Sequence, residues 1–462
     1  MKNKQQLGAS FRDPSGFLFT HQNNLYRQIN KSYQQDYELL MNSGLYKKLV
    51  KKGLLIPHKE VEQKAPLPEN AYKVIQPEKL AFISYPYEWS FSQLKDAALL
   101  TLRIQKLALK HGMSLKDSSA YNIQFDLETG KPVMIDTLSF EAYKENVPWV
   151  AYKQYCQHFL APLALMSLTD IRLGKMLRTY IDGIPLDLAA KLLPAKTKLN
   201  FGLFSHIHIH AKAQQSYAGE DVGKLSDSRK MSKQNLLALI ESLQQSTRKL
   251  KWLPGGTEWA DYYDETNYSS DARDNKADLV RDFIKIAKPD LIWDMGANTG
   301  YFSRIASSQQ INTIAFDIDE AAVEKNYLDQ KAGKETHQLP LVLDMTNPSP
   351  AIGWHNAERD DLGQRSKPDM ILALALVHHL SISNNVPLDM LAKYFSDLAP
   401  NLIIEFVPKS DSQVIRLLST REDIFPNYTF EGFEAAFSEY FKIKKVEDIK
   451  GSERKLYLLQ RK

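Results

Sequence analysis

Three polar residues in the first half of the chain stand in an order suited to phosphoryl transfer. Asp117 and Asn122 lie five residues apart in SLKDSSAYNIQF, and Asp136 follows a short apolar run in GKPVMIDTLSF. That chemistry needs a carboxylate near an acceptor hydroxyl, and an Asn and a second Asp to hold the metal ions of a bound nucleotide. In the second half a different set recurs, segment by segment. DMGANTG carries Gly296, Asn298 and Gly300 with Asp294 just ahead; AFDID carries Asp317, with Asp319 as competitor; LDMT carries Asp344 and Met345; LALALVHHL ends in His378 and His379. Glycines at such a junction permit a tight turn and close backbone approach to a ligand. A carboxylate at Asp317 can accept hydrogen bonds from both hydroxyls of a ribose. The paired imidazoles suit proton transfer near neutral pH. The competing role for them is to line a pocket or cap the next helix.

The second set needs a scaffold, and the apolar pattern supplies one. Strands are expected at 290–294, 311–317, 339–344, 369–376 and 401–407, alternating with helical segments. Such βα units imply a parallel sheet, because parallel strands need crossover connections. Two further strands, 441–448 and 455–460, are joined by a short turn at Gly451 and must pair antiparallel. The carboxylates and histidines then fall outside the carboxyl ends of the strands, where open α/β sheets bind ligands.

Around the first set, NIQFDLETGKPVMID reads as a hairpin turning at Thr129-Gly130. WSFSQLKDAALLTLRIQKLALKHG (89–112) reads as a long amphipathic helix, and AFISYPYEW (81–89) as a strand and hinge before it. HIHIH places His206, His208 and His210 on one face of an extended strand. Same-face spacing of about 6–7 Å favours packing over zinc ligation. Between the halves, 212–257 opens polar and gives one helix with Leu236, Leu237, Ile240 and Leu243 on one face. LPGG then breaks the chain.

The ordered set from Asp294 to His379 resembles class I S-adenosylmethionine (SAM) methyltransferases over about 255–462. The resemblance implies that Asp294 orients the cofactor's amino group, and that Gly296, Asn298 and Gly300 form its loop. Asp317 would hold its ribose, Asp344 its adenine amino group, and Met345 would pack on the ring. Seven strands ending in a hairpin are that family's sheet. Tyr263 and Tyr268 fall where a lid lies in the family, and Glu405 and Lys409 are candidates for acceptor contact. The absence of an NPPY-type loop after the fourth strand disfavours the amino-methylating DNA and protein-glutamine groups. Asp117, Asn122 and Asp136 resemble the protein-kinase-like, aminoglycoside-phosphotransferase superfamily over about 10–215, in degenerate form. Leu115 and Lys116 stand where His and Arg are usual, Leu138 replaces a glycine, and no glycine-rich phosphate loop is present. Arg27 lies where the nucleotide-binding Lys would be sought, with Glu38 as its partner.

Bulk properties exclude several classes. At 462 residues two domains are expected. The chain has no apolar run long enough to span a bilayer and no secretory leader pattern, and a single cysteine forbids an internal disulfide. A cytoplasmic address is expected. Net charge is +10 over 1–215 and −6 over 216–462. No basic cluster interleaved with aromatics suggests DNA or RNA.

The sequence therefore predicts an α/β, seven-stranded class I methyltransferase sheet (257–462), an α+β kinase-like or pseudokinase domain (1–215), and a linker with one helix (216–256). The expected activity is SAM-dependent methyl transfer to an acceptor, with the first domain recognising acceptor or nucleotide. The alternatives are a bifunctional kinase–methyltransferase of a glycan or small molecule, using Mg-ATP, and a non-catalytic binding or assembly module. No resident metal is expected.

Overall fold

A computed structural model describes residues 5–210, 230–255 and 270–462. The chain divides into two compact units: residues 1–126, 131–253 and 351–360 form the first, and 127–130, 254–350 and 361–462 the second. Tyr263 and Tyr268 lie outside the described residues.

The first unit is α+β. Its strands β1 (Gln5–Gln6), β2 (Gly16–His21), β3 (Asn24–Asn30), β4 (His58–Glu60) and β5 (Ala71–Pro77) form an antiparallel sheet in the order β1-β2-β3-β5-β4. Helix Phe91–Lys110 follows, started by a capping box in which Ser90 and Gln93 satisfy each other's backbone N–H groups. Strands β6 (Met113–Leu115) and β9 (Phe140–Ala142) pair, as do β7 (Ile123–Asp126) and β8 (Lys131–Met134). The last pair is the expected hairpin.

Three expectations for this half change. The stretch 81–89 forms no strand; it is irregular, with one short turn of helix at Pro86–Glu88 where proline suits the first helical position. HIHIH is helical: Phe204–His208 continues from helix Phe201–Leu203, and His206 and His208 are buried. His206 bonds Tyr152 and Ser242, both at 2.9 Å, and His208 bonds Thr197 at 2.9 Å, so both rings are packing groups. The helix expected in a linker, Lys233–Lys249, is part of the first unit. Its buried stripe packs on helix Phe91–Lys110, with Lys106 held by Glu241 and Gln244. Nearby, the Cys156 thiol is fully buried, and burial pushes it up to about 12.

The second unit is built on one sheet. Strands β10 (Leu291–Met295), β11 (Asn312–Asp317), β12 (Gln338–Val342), β13 (Met370–Ala373) and β14 (Asn401–Phe406) run parallel. β15 (Phe441–Asp448) and β16 (Lys455–Arg461) close it antiparallel, in the order β12-β11-β10-β13-β14-β16-β15. All seven predicted strands are present. The central ones read as unbroken apolar runs because helices cover both faces, as parallel sheets require. Helix Ser270–Ala287 packs Val280, Phe283 and Ile284 against Ile292, Leu372, Ile403 and Leu456. The fourth strand is shorter than expected because Ala375 adopts φ +50, which no strand continues through.

Candidate functional site

Within the second unit a cavity of about 400 Å³ opens at the carboxyl ends of β10 to β13. Its size suits a nucleoside-sized ligand. Asp294, at the end of β10, is buried and accepts from Ser303 Oγ at 2.6 Å. The chain then turns through Gly296, whose φ of +80 favours glycine, and Asn298 at φ +51. The N–H groups of Gly296 and Ala297 both donate to Phe316 O at 2.9 Å, and Asn298 N–H donates to Asp317 Oδ2 at 2.7 Å. The loop is thus tied to the tip of β11.

Asp294, Gly296, Asn298, Asp317, Asp344, Met345 and His379 all line the cavity, so it gathers residues from four successive strand ends. Burial pushes Asp294 up to about 7, against the Ser303 bond and the charge of Lys276. Burial likewise pushes Asp317 up to about 6, against bonds from the Asp319 and Asn298 N–H groups. Asp344 holds Thr346 by its N–H at 2.8 Å and its hydroxyl at 2.7 Å, which fixes the rim after β12.

Four sequence readings are resolved by geometry. Asp319 caps helix Glu320–Gly333, accepting from Ala321 and Ala322 N–H at 2.7 and 3.3 Å, and does not line the cavity. Gly300 does not line it either. It starts helix Tyr301–Ser307 at φ +80, where a Cβ would lie 2.5 Å from the Asn326 amide, so packing demands the glycine. His378 is 1% exposed and off the cavity wall; its ring centroid lies 4.1 Å from that of His379, which is on the wall. Burial depresses both rings, His379 to about 4, so both are neutral at pH 7. Glu405 and Lys409 do not reach the cavity: Glu405 is fully buried behind it, and Lys409 pairs with Asp423 at 2.7 Å.

In the first unit, the structure brings Asp117, Asn122 and Asp136 into one neighbourhood. Asn122 Nδ2 donates to Ser139 Oγ at 3.2 Å, and Ser139 donates to Asp136 Oδ2 at 2.6 Å. Asp117 accepts from Ser119 N–H at 2.8 Å. Burial, then the charge of Asp136, raises the Asp117 carboxyl. Arg27 on β3 does not pair with Glu38, which instead holds Gln34 and Tyr72 at 2.9 and 2.7 Å. Its guanidinium binds Asp136, and Asp13 at 2.8 Å. Burial alone would raise Asp136, but Arg27, Ser139 and the Leu138 N–H hold it below the usual carboxylate range.

Comparison with known proteins gives one decisive likeness. Nodulation protein NoeA of Rhizobium meliloti (strain 1021) is 36% identical over 462 residues, 99% of this chain and 96% of that protein. The chain belongs to the NoeA family. No family model matches it. Among solved structures, it is similar to magnesium protoporphyrin IX methyltransferase (ChlM) from Synechocystis PCC 6803 with bound SAH at 15% identity, covering 44% of this chain and 93% of that one, TM-score 0.32. It is similar to WbdD at 13% identity, 43% of this chain and 42% of that one, TM-score 0.30. N-methyltransferase NodS from Bradyrhizobium japonicum WM9 is 11% identical, 42% and 98% covered, TM-score 0.30.

In this NoeA-family chain, two charged cavity residues went unnoticed in the sequence: Arg273 and Lys276, on helix Ser270–Ala287. Arg273 stacks over the Tyr301 ring at 5.3 Å, and its buried Nε has no hydrogen-bond partner among the described residues. Lys276 is 3% exposed, 4.5 Å over the Phe302 ring, and paired with Glu405. The available signal was a lysine on the apolar stripe formed by Ala272, Val280 and Phe283.

Proposed function

We propose that the second unit binds SAM and transfers its methyl group to an acceptor. The observation that carries this is the single cavity wall formed by Asp294 and Gly296 at the end of β10, Asp317 at the end of β11, and Asp344 and Met345 just after β12, three adjacent strands of the parallel sheet. In this reading Asp317 accepts from the ribose hydroxyls, Asp344 and Met345 hold the adenine, and Asp294 faces the amino group. Arg273 then offers a guanidinium to the ligand's carboxylate. Methyl transfer is an in-line displacement, so alignment inside a water-poor cavity supplies most of what the protein must do. His379, neutral and on the wall, can accept a hydrogen bond from an acceptor hydroxyl and orient it. His378 supports the ring of His379 from behind.

The first unit we read as an acceptor- or nucleotide-recognising domain without phosphoryl transfer, because the Arg27 guanidinium already occupies the Asp136 carboxylate. The relationship to nodulation protein NoeA extends across both units and supports a shared role for them. Titration calorimetry of the full chain tests both parts. SAM and S-adenosylhomocysteine (SAH) should each bind, one per chain, and Mg-ATP should not be turned over. No heat with either adenosyl ligand overturns the reading. Phosphate release or transfer from Mg-ATP would restore the bifunctional alternative.

A further inference from the structure

Behind the cavity wall, Glu405 of β14 is 0% exposed yet meets at least three donors among the described residues. Three are Lys276 Nζ, Arg454 Nη1 at 3.2 Å, and the backbone N–H of Ala375 at 2.8 Å. Arg454 is itself gripped by Asp411, through Nε at 2.7 Å and Nη2 at 3.1 Å. A carboxylate so deeply buried persists only where charge and hydrogen bonds offset its lost hydration.

Two of the three donors belong to the cavity wall. Lys276 enters from helix Ser270–Ala287 and Ala375 from the turn after β13. Ala375 sits at φ +50, a left-handed conformation unfavourable to a residue with a Cβ. Such a backbone persists when its surroundings over-determine it, and the Glu405 bond is one such restraint. One carboxylate thus fixes two separate parts of the wall. Burial dominates the Asp294 carboxyl, and the Ser303 hydroxyl of helix Tyr301–Ser307, the charge of Lys276 and Asp317 of β11 also act on it.

We propose that Glu405 and Lys276 form a positioning pair for the ligand cavity: Glu405 holds the Ala375 turn and the Lys276 ammonium, and Lys276 brings its positive charge to the wall that Asp294 also lines. Neither residue touches the transferred group. The proposal rests on the reading of this cavity as a SAM site.

SAH affinity of the full chain tests it, measured by calorimetry from pH 5.5 to 8.5 for wild type, Lys276→Met, Glu405→Gln and the double variant. Each single change should raise Kd at least about tenfold, and the double should be no more than about threefold worse than the worse single, because coupled residues are not additive. Lys276→Met should also move the pH midpoint of binding upward by about half a unit, as Asp294 loses a neighbouring cation. A purely structural role would leave that midpoint alone. Single variants within twofold of wild type, additive losses, or an unmoved midpoint each overturn the pairing. Should Glu405→Gln fail to fold, Lys276→Met decides alone, since Glu405 keeps Arg454 and the Ala375 N–H. Wild-type chain that binds no SAH overturns the SAM reading, and the pair's role with it.

Discussion

The two units bury carboxylates in opposite ways. In the first, Asp136 is filled by the chain's own cation: Arg27 binds it and Asp13 together, and the carboxyl is held below its usual range. In the second, Asp294 and Asp317 line a cavity and neither forms an ion pair with a cation among the described residues, although the Lys276 charge acts on Asp294; burial raises both. A buried acid paired internally is structure. A buried acid on a cavity wall with no internal cation pair is open to a donor from outside. The same residue type therefore reports a closed site in one unit and an open one in the other.

The largest expected effect breaks the closed side. Arg27→Ala leaves two carboxylates without their cation and should cost about 3–5 kcal/mol, seen as an earlier thermal unfolding transition, while SAH affinity stays within twofold. Loss of SAH binding in that variant would undo the contrast. On the open side, Asp294→Asn should weaken SAH by roughly 10- to 100-fold, the worth of a hydrogen bond to a charged group, without lowering the melting temperature by more than a few degrees.

A pH series sharpens the comparison further. Asp294, pushed up to about 7, and Asp317, pushed up to about 6, take up protons as pH falls through those values. A ligand whose ammonium and hydroxyls donate to them requires the ionised forms. Affinity should therefore be full above about pH 8 and fall at least tenfold by about pH 5.5, with most of the slope removed in Asp294→Asn. The smallest effect separates two neighbours. Asp317→Asn should loosen SAH by about tenfold, whereas Asp319→Asn, which keeps a good helix cap, should change it less than twofold.

Much of the second unit was legible because its parallel strands are buried on both sides and read as apolar runs, with each carboxylate marking a strand end. Choosing between Asp317 and Asp319 was not, since both stand at the same turn and only the cap geometry separates them. Gly300 looked like a cofactor glycine, but its constraint comes from Asn326, a contact 26 residues away in sequence. HIHIH misled because alternating His and Ile mimics a strand; in the structure Ile207 is buried between two buried histidines of a helix covered on several sides. Arg27 was given Glu38 as its partner but binds Asp136 and Asp13, because an ion pair across 109 residues leaves no spacing to read. Ala375 ended a strand that its apolar sequence would have continued.

The buried Cys156 has a practical consequence. As the chain's only thiol, fully enclosed and with its proton affinity raised, it should be silent toward maleimides in the folded protein. A cysteine introduced at Ile318, half exposed on the cavity rim, would then be a unique attachment point for an environment-sensitive fluorophore. Ligand entry could be followed in real time from a position that replaces none of the carboxylates.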